Sequence, residues 1–238
     1  MELSNQRTLV VGASRGLGRG VATKLAAAGA DVLAISRSLP TFDGVRKRAG
    51  DATDPTFVSH VLAQETPSVL VLVAGAQPAM NPLSQYDWEA FSQCWNVDVK
   101  ATFHWLKEAL NRRMEGRIIV FSSGAAIHGS PLSGGYAGAK QTQRFLCKYA
   151  RDAITKSNLD LRIQTVLPQL NPNTDLGRAG IAAYASAAGE STEAFVEKRF
   201  GDPLSPDKAG EAIVRLLTET DFDGGHEFVL TGGGLKAL

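Results

Sequence analysis

The chain has 238 residues, of which 44% are hydrophobic and 21% charged, a globular composition for a length that fits one large domain. Its formal net charge of +1 at pH 7 gives no overall electrostatic case for nucleic acid or an anionic membrane. The longest apolar run, residues 69–76, is too short to span a bilayer. An apolar strand is predicted within the first few residues, so we expect no signal peptide.

Short apolar runs alternate along the chain with longer segments of helical period. The predicted strands are TLVVGA, DVLAISR, VLVLVAG, GRIIVFSS, LDLRIQTVLP and HEFVLTG. Helices are predicted over residues 17–28, 87–113, 136–155 and 207–218, with a less regular region over 171–206. Strands that are apolar on both faces and alternate with helices indicate a parallel sheet covered on two sides. The pattern therefore predicts one α/β domain over residues 1–238.

The first predicted strand runs directly into the loop GASRGLGRG and then into a helix. Gly12, Gly16 and Gly18 have the spacing G-x-x-x-G-x-G. Glycine permits a tight strand-to-helix turn, and without a Cβ it lets a pyrophosphate approach the N–H groups at the helix N-terminus. In this position the loop predicts a dinucleotide-binding site. The other loop residues assigned to the cofactor are Ser14, Arg15 and Leu17.

The end of the second strand bears on which dinucleotide binds. An NAD site usually has an acid about 20 residues beyond the glycines, which holds the ribose 2′-hydroxyl. This sequence has Ser36 and Arg37 in that neighbourhood, and Arg15 is a second guanidinium within reach of the same pocket. Two arginines suit a 2′-phosphate, so we predict NADP(H) in preference to NAD(H). The alternative is that both are solvent-facing loop charges.

Tyr136 and Lys140 are four residues apart in YAGAK, so a helix places the phenol and the ammonium on one face. Such a pair is weak evidence alone, but Ser123 stands at the end of the preceding strand, thirteen positions before Tyr136. Ser122 is the nearest competitor to Ser123. Because adjacent strand residues point to opposite faces, only one of them can serve.

The glycine spacing, the strand–helix alternation and YAGAK together resemble the short-chain dehydrogenase/reductase family over residues 7–233. The resemblance implies a single Rossmann-type doubly wound domain with a mostly parallel seven-stranded sheet and helices on both faces. It implies Ser123, Tyr136 and Lys140 as catalytic residues, with Asn96 in the middle helix as the fourth. Asp51 matches the acid that meets the adenine in the family. The remaining cofactor-binding residues are Ala52, Ala74, Gly75, Tyr136, Lys140, Pro168, Gln169 and Thr174.

The resemblance also implies an activity, the reversible NADPH-dependent reduction of a ketone or aldehyde to an alcohol. A free tyrosine has a pKa near ~10, and the ammonium of Lys140 and an oxidised nicotinamide would lower it toward the working range. Ser123 would donate a hydrogen bond to the substrate oxygen, where charge develops. Lys140 would hold the nicotinamide ribose, and Asn96 a water that links Lys140 to solvent. The other possibility for Asn96 is a hydrogen bond to a buried backbone kink.

Three features depart from the family pattern. The sequence LVAG at 72–75 stands where the family usually has Asn-Asn-Ala-Gly, and Pro168-Gln169 stands where it usually has Pro-Gly. Thr174 is one residue late for the threonine that bonds the carboxamide. The segment between Arg37 and Asp51 is short, so one family helix is expected to be truncated or absent.

Two other functions compete with the reductase. Sugar-nucleotide epimerases and dehydratases have a different glycine spacing and a longer C-terminal substrate domain. A dinucleotide-binding sensor or scaffold, which keeps the fold without turnover, would be expected to lose Ser, Tyr or Lys, and all three are present. We therefore expect an enzyme, with the step from fold to function resting on analogy.

The region 171–206 is rich in small residues and is predicted to form a mobile substrate lid. Its apolar members Ile181, Tyr184 and Phe195 suggest an uncharged or partly apolar substrate, while Arg178 could hold a carboxylate. The family implies a homotetramer or homodimer packed through the Tyr136 helix and the helix at 207–218. Cys94 and Cys147 lack metal-type or redox-type spacing, so we expect ordinary thiols, no metal site and a cytoplasmic protein.

Overall fold

A computed structural model describes residues 2–38, 41 and 43–238, and a mixed sheet of eight strands forms its centre. The sheet order is β3-β2-β1-β4-β5-β6-β7-β8, with every neighbouring pair parallel except β7 and β8. The strands are β1 (Arg7–Val11), β2 (Asp31–Ser36), β3 (Arg46–Ala49), β4 (Val69–Leu72), β5 (Gly116–Phe121), β6 (Leu161–Pro168), β7 (Glu227–Thr231) and β8 (Gly234–Ala237).

Helices cover both faces of this sheet. They are α1 (Gly16–Ala27), α2 (Pro55–Glu65), α3 (Trp88–Cys94), α4 (Lys100–Asn111), α5 (Ala125–His128), α6 (Tyr136–Ser157), α7 (Asp175–Ala188), α8 (Thr192–Phe200) and α9 (Pro206–Thr218). One turn of π-helix, Trp95–Val99, joins α3 to α4 without a break, and short 3₁₀ turns lie at Leu83–Gln85 and Thr220–Phe222.

The alternation of side chains along each strand divides the core into two layers. Val10, Val71 and Ile119 point to the face that α1 and α9 cover. Their neighbours Leu9 and Leu70 point to the opposite face, which α2, α4 and α6 cover. Because both faces are buried, the central strands are continuous apolar runs, as parallel sheets require. The doubly wound α/β fold expected from the sequence is confirmed.

The structure corrects several details of the predicted elements. The sheet has eight strands rather than seven, because the chain turns back after β7 and adds β8 antiparallel. In agreement with the expected loss of a helix after Arg37, the described residues between β2 and β3 form no helix. Leu39, Pro40 and Phe42 lie outside the described part of the chain. The region 171–206 is mostly helical rather than irregular, since it contains α7 and α8. Among the described residues, no helix combines the length and the apolar character needed to span a bilayer.

Helices α1 and α9 pack against each other through glycine. A Cβ on Gly20 would lie 2.0 Å from the carbonyl oxygen of Pro206, and one on Gly210 would lie 2.4 Å from the carbonyl oxygen of Gly20. These distances are far below van der Waals contact with backbone atoms, which cannot move aside as a flexible side chain can. The two helices therefore need glycine at both crossing positions.

We predict that Gly20→Ala lowers the free energy of unfolding by about 1–3 kcal/mol, the usual cost of overpacking. Alanine favours a helix interior by about 1 kcal/mol over glycine, so a net loss identifies the contact with α9. Chemical denaturation measures the change. Gly224→Ala is the control, because a Cβ there meets nothing within 4 Å. A Gly20→Ala protein as stable as the wild type would contradict this packing argument.

Candidate active site

A cleft of about 1270 Å³ opens at the carboxyl ends of the central strands. Strand β1 lies between β2 and β4. The chain continues from β1 to β2 on one side and later adds β4 on the other side, and this change of direction leaves a crevice beyond the carboxyl end of β1. Every sequence-assigned site residue except Asn96 lines this one cleft. They are Gly12, Ser14, Arg15, Gly16, Leu17, Gly18, Ser36, Arg37, Asp51, Ala52, Ala74, Gly75, Ser123, Tyr136, Lys140, Pro168, Gln169 and Thr174.

The glycine loop forms a cradle of exposed backbone at one end of the cleft. Gly12 has φ +94°, and a Cβ on it would lie 2.4 Å from the backbone nitrogen of Ala74. A Cβ on Gly18 would lie 2.2 Å from the carbonyl oxygen of Gly12. Helix α1 begins beside this turn with no side-chain cap and no acidic residue in its first turn. Its first N–H groups and its dipole therefore fit a phosphate group.

The polar groups expected near the adenosine end lie around the carboxyl ends of β2 and β3. The backbone N–H of Thr53 holds the pKa of Asp51 below its usual value, with help from the Thr53 hydroxyl and the charge of Arg37. The exposed Arg15 forms an ion pair with Asp175 of α7, with 2.8 Å between Nη1 and Oδ2. Arg15 thus connects the glycine loop to the helix that the sequence assigns to the lid.

Ser123, Tyr136 and Lys140 meet where β5 ends and α6 begins. Tyr136 is 8% exposed, and the Nζ of Lys140 lies 5.6 Å from the centre of its ring. Burial raises the pKa of Tyr136, while the charge of Lys140 and a hydrogen bond from Ser123 lower it, and burial prevails. Lys140 lowers the pKa of Tyr136, as expected from the sequence, but the net change in this pKa is upward. The phenol therefore keeps its proton, as an acid must.

The two serines at the end of β5 have different roles. Ser122 is 4% exposed, and its hydroxyl donates to the carbonyl oxygen of Lys140 at 2.8 Å. The hydroxyl of Ser123 accepts the N–H of Ala125 at 3.2 Å, and Ser123 lowers the pKa of the Tyr136 phenol. The strand alternation therefore assigns Ser122 to the attachment of α6 and Ser123 to the cleft.

The expectation for Asn96 is corrected by the structure. Asn96 is exposed on the π-helical turn and does not line the cleft, whereas Asp98, two residues later, is 0% exposed and does. The carboxylate of Asp98 accepts a hydrogen bond from the N–H of Ala76 at 2.7 Å. Its Oδ2 lies 3.0 Å from the Nζ of Lys140. The side chain that meets Lys140 from the middle helix is thus an acid, not an amide.

The sequence does carry a signal for Asp98. The buried face of α4 comprises Ala101, Thr102, Trp105, Leu106 and Ala109. Asp98 precedes Ala101 and Thr102 by three and four residues and so continues this face, while Asn96 is in phase with the exposed Phe103. Helical periodicity alone therefore favours Asp98 over Asn96.

The model of the short chain dehydrogenase family matches residues 6–179. The chain belongs to the short-chain dehydrogenase/reductase family. Members of this family are NAD(P)-dependent enzymes that act on hydroxyl and carbonyl groups.

Its relatives include reductases and dehydrogenases of sugars. L-xylulose reductase of Mesocricetus auratus is 28% identical over 178 residues, which cover 72% of this chain and 68% of the relative. L-fucose dehydrogenase of Oryctolagus cuniculus is 26% identical over 94% of this chain and 83% of its own length. A 3-oxoacyl (acyl-carrier-protein) reductase of Agrobacterium tumefaciens, solved with NADP bound, is 23% identical. It has a TM-score of 0.76, covers 97% of this chain and 94% of its own, and shares the fold.

The segment after β6 uses its polar groups differently from the pattern of the dehydrogenase/reductase family. Thr174 caps α7 by accepting from the N–H of Gly177 at 3.1 Å, and its hydroxyl donates to the carbonyl oxygen of Asn171 at 3.1 Å. Sequence reasoning missed Asn171, which lines the cleft at 3% exposure. Its Nδ2 has no hydrogen-bond partner among the described residues. A buried amide donor of this kind is available to a ligand.

The side chains singled out in the predicted lid do not all line the cleft. Ile181 and Phe195 are buried against each other between α7 and α8, so the substrate character inferred from them is not supported. Tyr184 does line the cleft, and its hydroxyl lies 2.7 Å from that of Ser130. Arg178 lies outside the cleft lining and pairs with Asp175. No cluster of three or more metal-ligating side chains occurs within the described part of the chain.

We predict that Ser123→Ala and Ser122→Ala separate catalysis from stability. Ser123→Ala should lower kcat by about 10²-fold or more, as loss of a donor to a developing oxyanion does. Its loss of stability should be the smaller one, because the hydrogen bond that Ser123 accepts from Ala125 is only partly buried. Ser122→Ala should instead cost about 1 kcal/mol of stability, because a buried hydrogen bond to α6 is lost. Steady-state kinetics and chemical denaturation of both variants check this. Equal kinetic losses in the two variants would contradict the assignment.

Proposed function

We propose that this chain is an NADPH-dependent reductase that converts a ketone or aldehyde to an alcohol, reversibly, with Tyr136 as the acid. The observation that carries the proposal is the meeting of Ser123, Tyr136 and Lys140 in the cleft that also contains the glycine cradle. A sensor or scaffold would need the cradle but not these three groups.

The residues present fit a nicotinamide dinucleotide. The glycine cradle and the uncapped start of α1 would hold the pyrophosphate. Arg37 would hold a 2′-phosphate, with Arg15 as a second guanidinium that lines the same cleft, and Asp51 would hold the adenine. The unpartnered Nδ2 of Asn171 and the ammonium of Lys140 would serve the nicotinamide end. When bound, the reduced cofactor supplies the hydride.

The protein's own part in the reduction is to place and move a proton. Because burial keeps Tyr136 protonated, its hydroxyl can donate to the substrate oxygen as negative charge develops there. Ser123 would donate a second hydrogen bond to the same oxygen. Both groups lie on fixed elements, at the end of β5 and the start of α6, so little reorganisation is needed during the reaction.

We further propose that the substrate is a small, uncharged, polyhydroxylated carbonyl compound. The cleft lining also includes the polar side chains Gln77, His128, Ser130, Gln169 and Tyr184 and the apolar side chains Met80 and Leu170. Such a mixture suits hydroxyl groups on a short carbon chain. The relatives named as acting on xylulose and fucose support this substrate class.

Residues 171–206 remain our proposed substrate lid, and a homo-oligomer remains our proposed assembly. For the assembly, the exposed aromatic side chains favour the Tyr136 helix together with the middle helix. Phe145 and Tyr149 of α6 and Phe103 of α4 are all exposed, whereas the large exposed apolar residues of the described chain include none from α9. Location in the cytoplasm remains a prediction.

We predict that the protein binds NADPH more tightly than NADH and that Arg37→Ala removes the preference. Loss of a charge-assisted contact costs about 1.5–3 kcal/mol, so the Kd for NADPH should rise about 10- to 100-fold while that for NADH stays constant. Cofactor fluorescence measures both. Lys47→Ala is the matched control, an exposed cation on β3 outside the cleft lining. NADH bound as tightly as NADPH by the wild type would reject the cofactor assignment.

We predict that the wild type oxidises NADPH with a ketopentose or ketotetrose and that Tyr136→Phe loses at least about 10³-fold in kcat, since the proton donor is removed. The Kd for NADPH should stay within about threefold, because the ring and its packing are kept. Tyr149→Phe is the control, as Tyr149 is exposed on the same helix. A wild type that binds NADPH but reduces no neutral carbonyl would favour the sensor or scaffold.

A further inference from the structure

Asp98 is a fully buried acid in a site built around it. Its Oδ1 accepts the N–H of Ala76 at 2.7 Å, and its Oδ2 lies 3.0 Å from the Nζ of Lys140. A Cβ on Gly75 would lie 2.9 Å from Oδ2, so the neighbouring backbone leaves room for the carboxylate only because residue 75 is glycine. A buried charge without a partner costs several kcal/mol, which makes Lys140 the necessary partner.

We propose that Asp98 is a positioning residue, whose carboxylate keeps the buried Lys140 charged and holds its ammonium beside Tyr136. The inference deepens the proposed reductase function and rests on it for the role of Tyr136. The ion pair itself is a property of the folded chain, whether or not the protein turns over a substrate.

The donors of Lys140 show what this arrangement leaves free. An ammonium has three N–H groups. The Nζ of Lys140 donates to the carbonyl oxygen of Phe121 at 3.3 Å, and it pairs by charge with the Oδ2 of Asp98, which lies 3.0 Å away but outside hydrogen-bond geometry. These two contacts restrict the direction of the ammonium, and donor capacity remains for a ligand in the cleft. Asp98 thus converts a flexible side chain into a fixed donor.

Four titratable groups face one another here, Cys94, Asp98, Tyr136 and Lys140. Burial lowers the pKa of Lys140, but Asp98 and then Tyr136 raise it, and the net direction is upward. Burial raises the pKa of Cys94 to about 12, so its thiol stays protonated in the folded protein near neutral pH. Asp98 also raises the pKa of Tyr136. Without Asp98, the Lys140–Tyr136 pair would release its first proton at lower pH, whichever member loses it.

The test is the pH dependence of stability in Asp98→Asn, which keeps an acceptor for Ala76 and removes the charge. Free lysine and tyrosine titrate near ~10, so the unfolded variant keeps a proton that the folded variant releases. Stability rises with pH wherever the unfolded state binds more protons. Asp98→Asn should be less stable than the wild type, and this difference in the free energy of unfolding should shrink between about pH 7 and pH 9. The unfolding constant of the variant should fall by up to about tenfold per pH unit.

Thr102→Val is the matched control. Its hydroxyl accepts from Gln143 at 2.7 Å, one turn along the same buried helix face, and its loss removes a hydrogen bond but no charge. Thr102→Val should lower the free energy of unfolding by the same amount at every pH. If the loss of stability in Asp98→Asn is also independent of pH, the proposal is overturned, because a purely structural role predicts that result.

If Asp98→Asn does not fold, the double variant Asp98→Asn/Lys140→Met decides. Removing both charges leaves no unpaired ammonium, so the double variant should be more stable than the single one. A double variant no more stable than the single one would overturn the proposal.

The kinetic readout is the alkaline limb of kcat/KM for reduction, which should move down by about one pH unit in Asp98→Asn and stay in place in Thr102→Val. If no variant reduces a carbonyl, the reductase proposal fails, while the stability comparison still decides the ion pair.

Discussion

The parallel alignment of the central strands is the constraint on which the rest of this structure depends. Parallel strands end at one edge of the sheet, so the loops after β1, β4, β5 and β6 all arrive at the same place. Gly12, Ala74, Ser123 and Gln169 each follow one of these strand ends and each line the cleft. Residues that lie far apart in the sequence therefore meet because the hydrogen-bond register of the sheet aligns the strand ends.

The cleft depends on close approach as much as on strand direction. Gly12 brings the loop after β1 against the backbone of Ala74, and Gly75 makes room for a carboxylate from the middle helix. Gly12 thus allows close approach of a peptide group, and Gly75 allows close approach of the Asp98 side chain. A larger residue at position 12 would clash with the backbone of Ala74, and one at position 75 with the carboxylate of Asp98.

The features predicted well from the sequence are those fixed by short-range patterns. Apolar runs locate the buried strands, and the glycine loop and YAGAK locate the ends of the cleft. The errors concern tertiary context. The Asn96 assignment depended on a likeness of residue type, while the buried face of α4 selects Asp98. Strand β8 is short and partly exposed. Ile181 and Phe195 are apolar because α7 and α8 pack together, which neither residue reveals alone.

The chemistry depends on charges held where water is excluded. Burial alone would discharge Lys140 and leave Tyr136 without a nearby cation. A buried ion pair contributes little to stability compared with apolar packing, so stability alone does not explain why Asp98 and Lys140 are together. In the proposed reductase, a fixed ammonium beside a phenol would account for their juxtaposition. Burial raises the pKa of Tyr136, Lys140 lowers it, and Asp98 raises the pKa of both Tyr136 and Lys140, so in that proposal the three side chains together set how readily the proton moves.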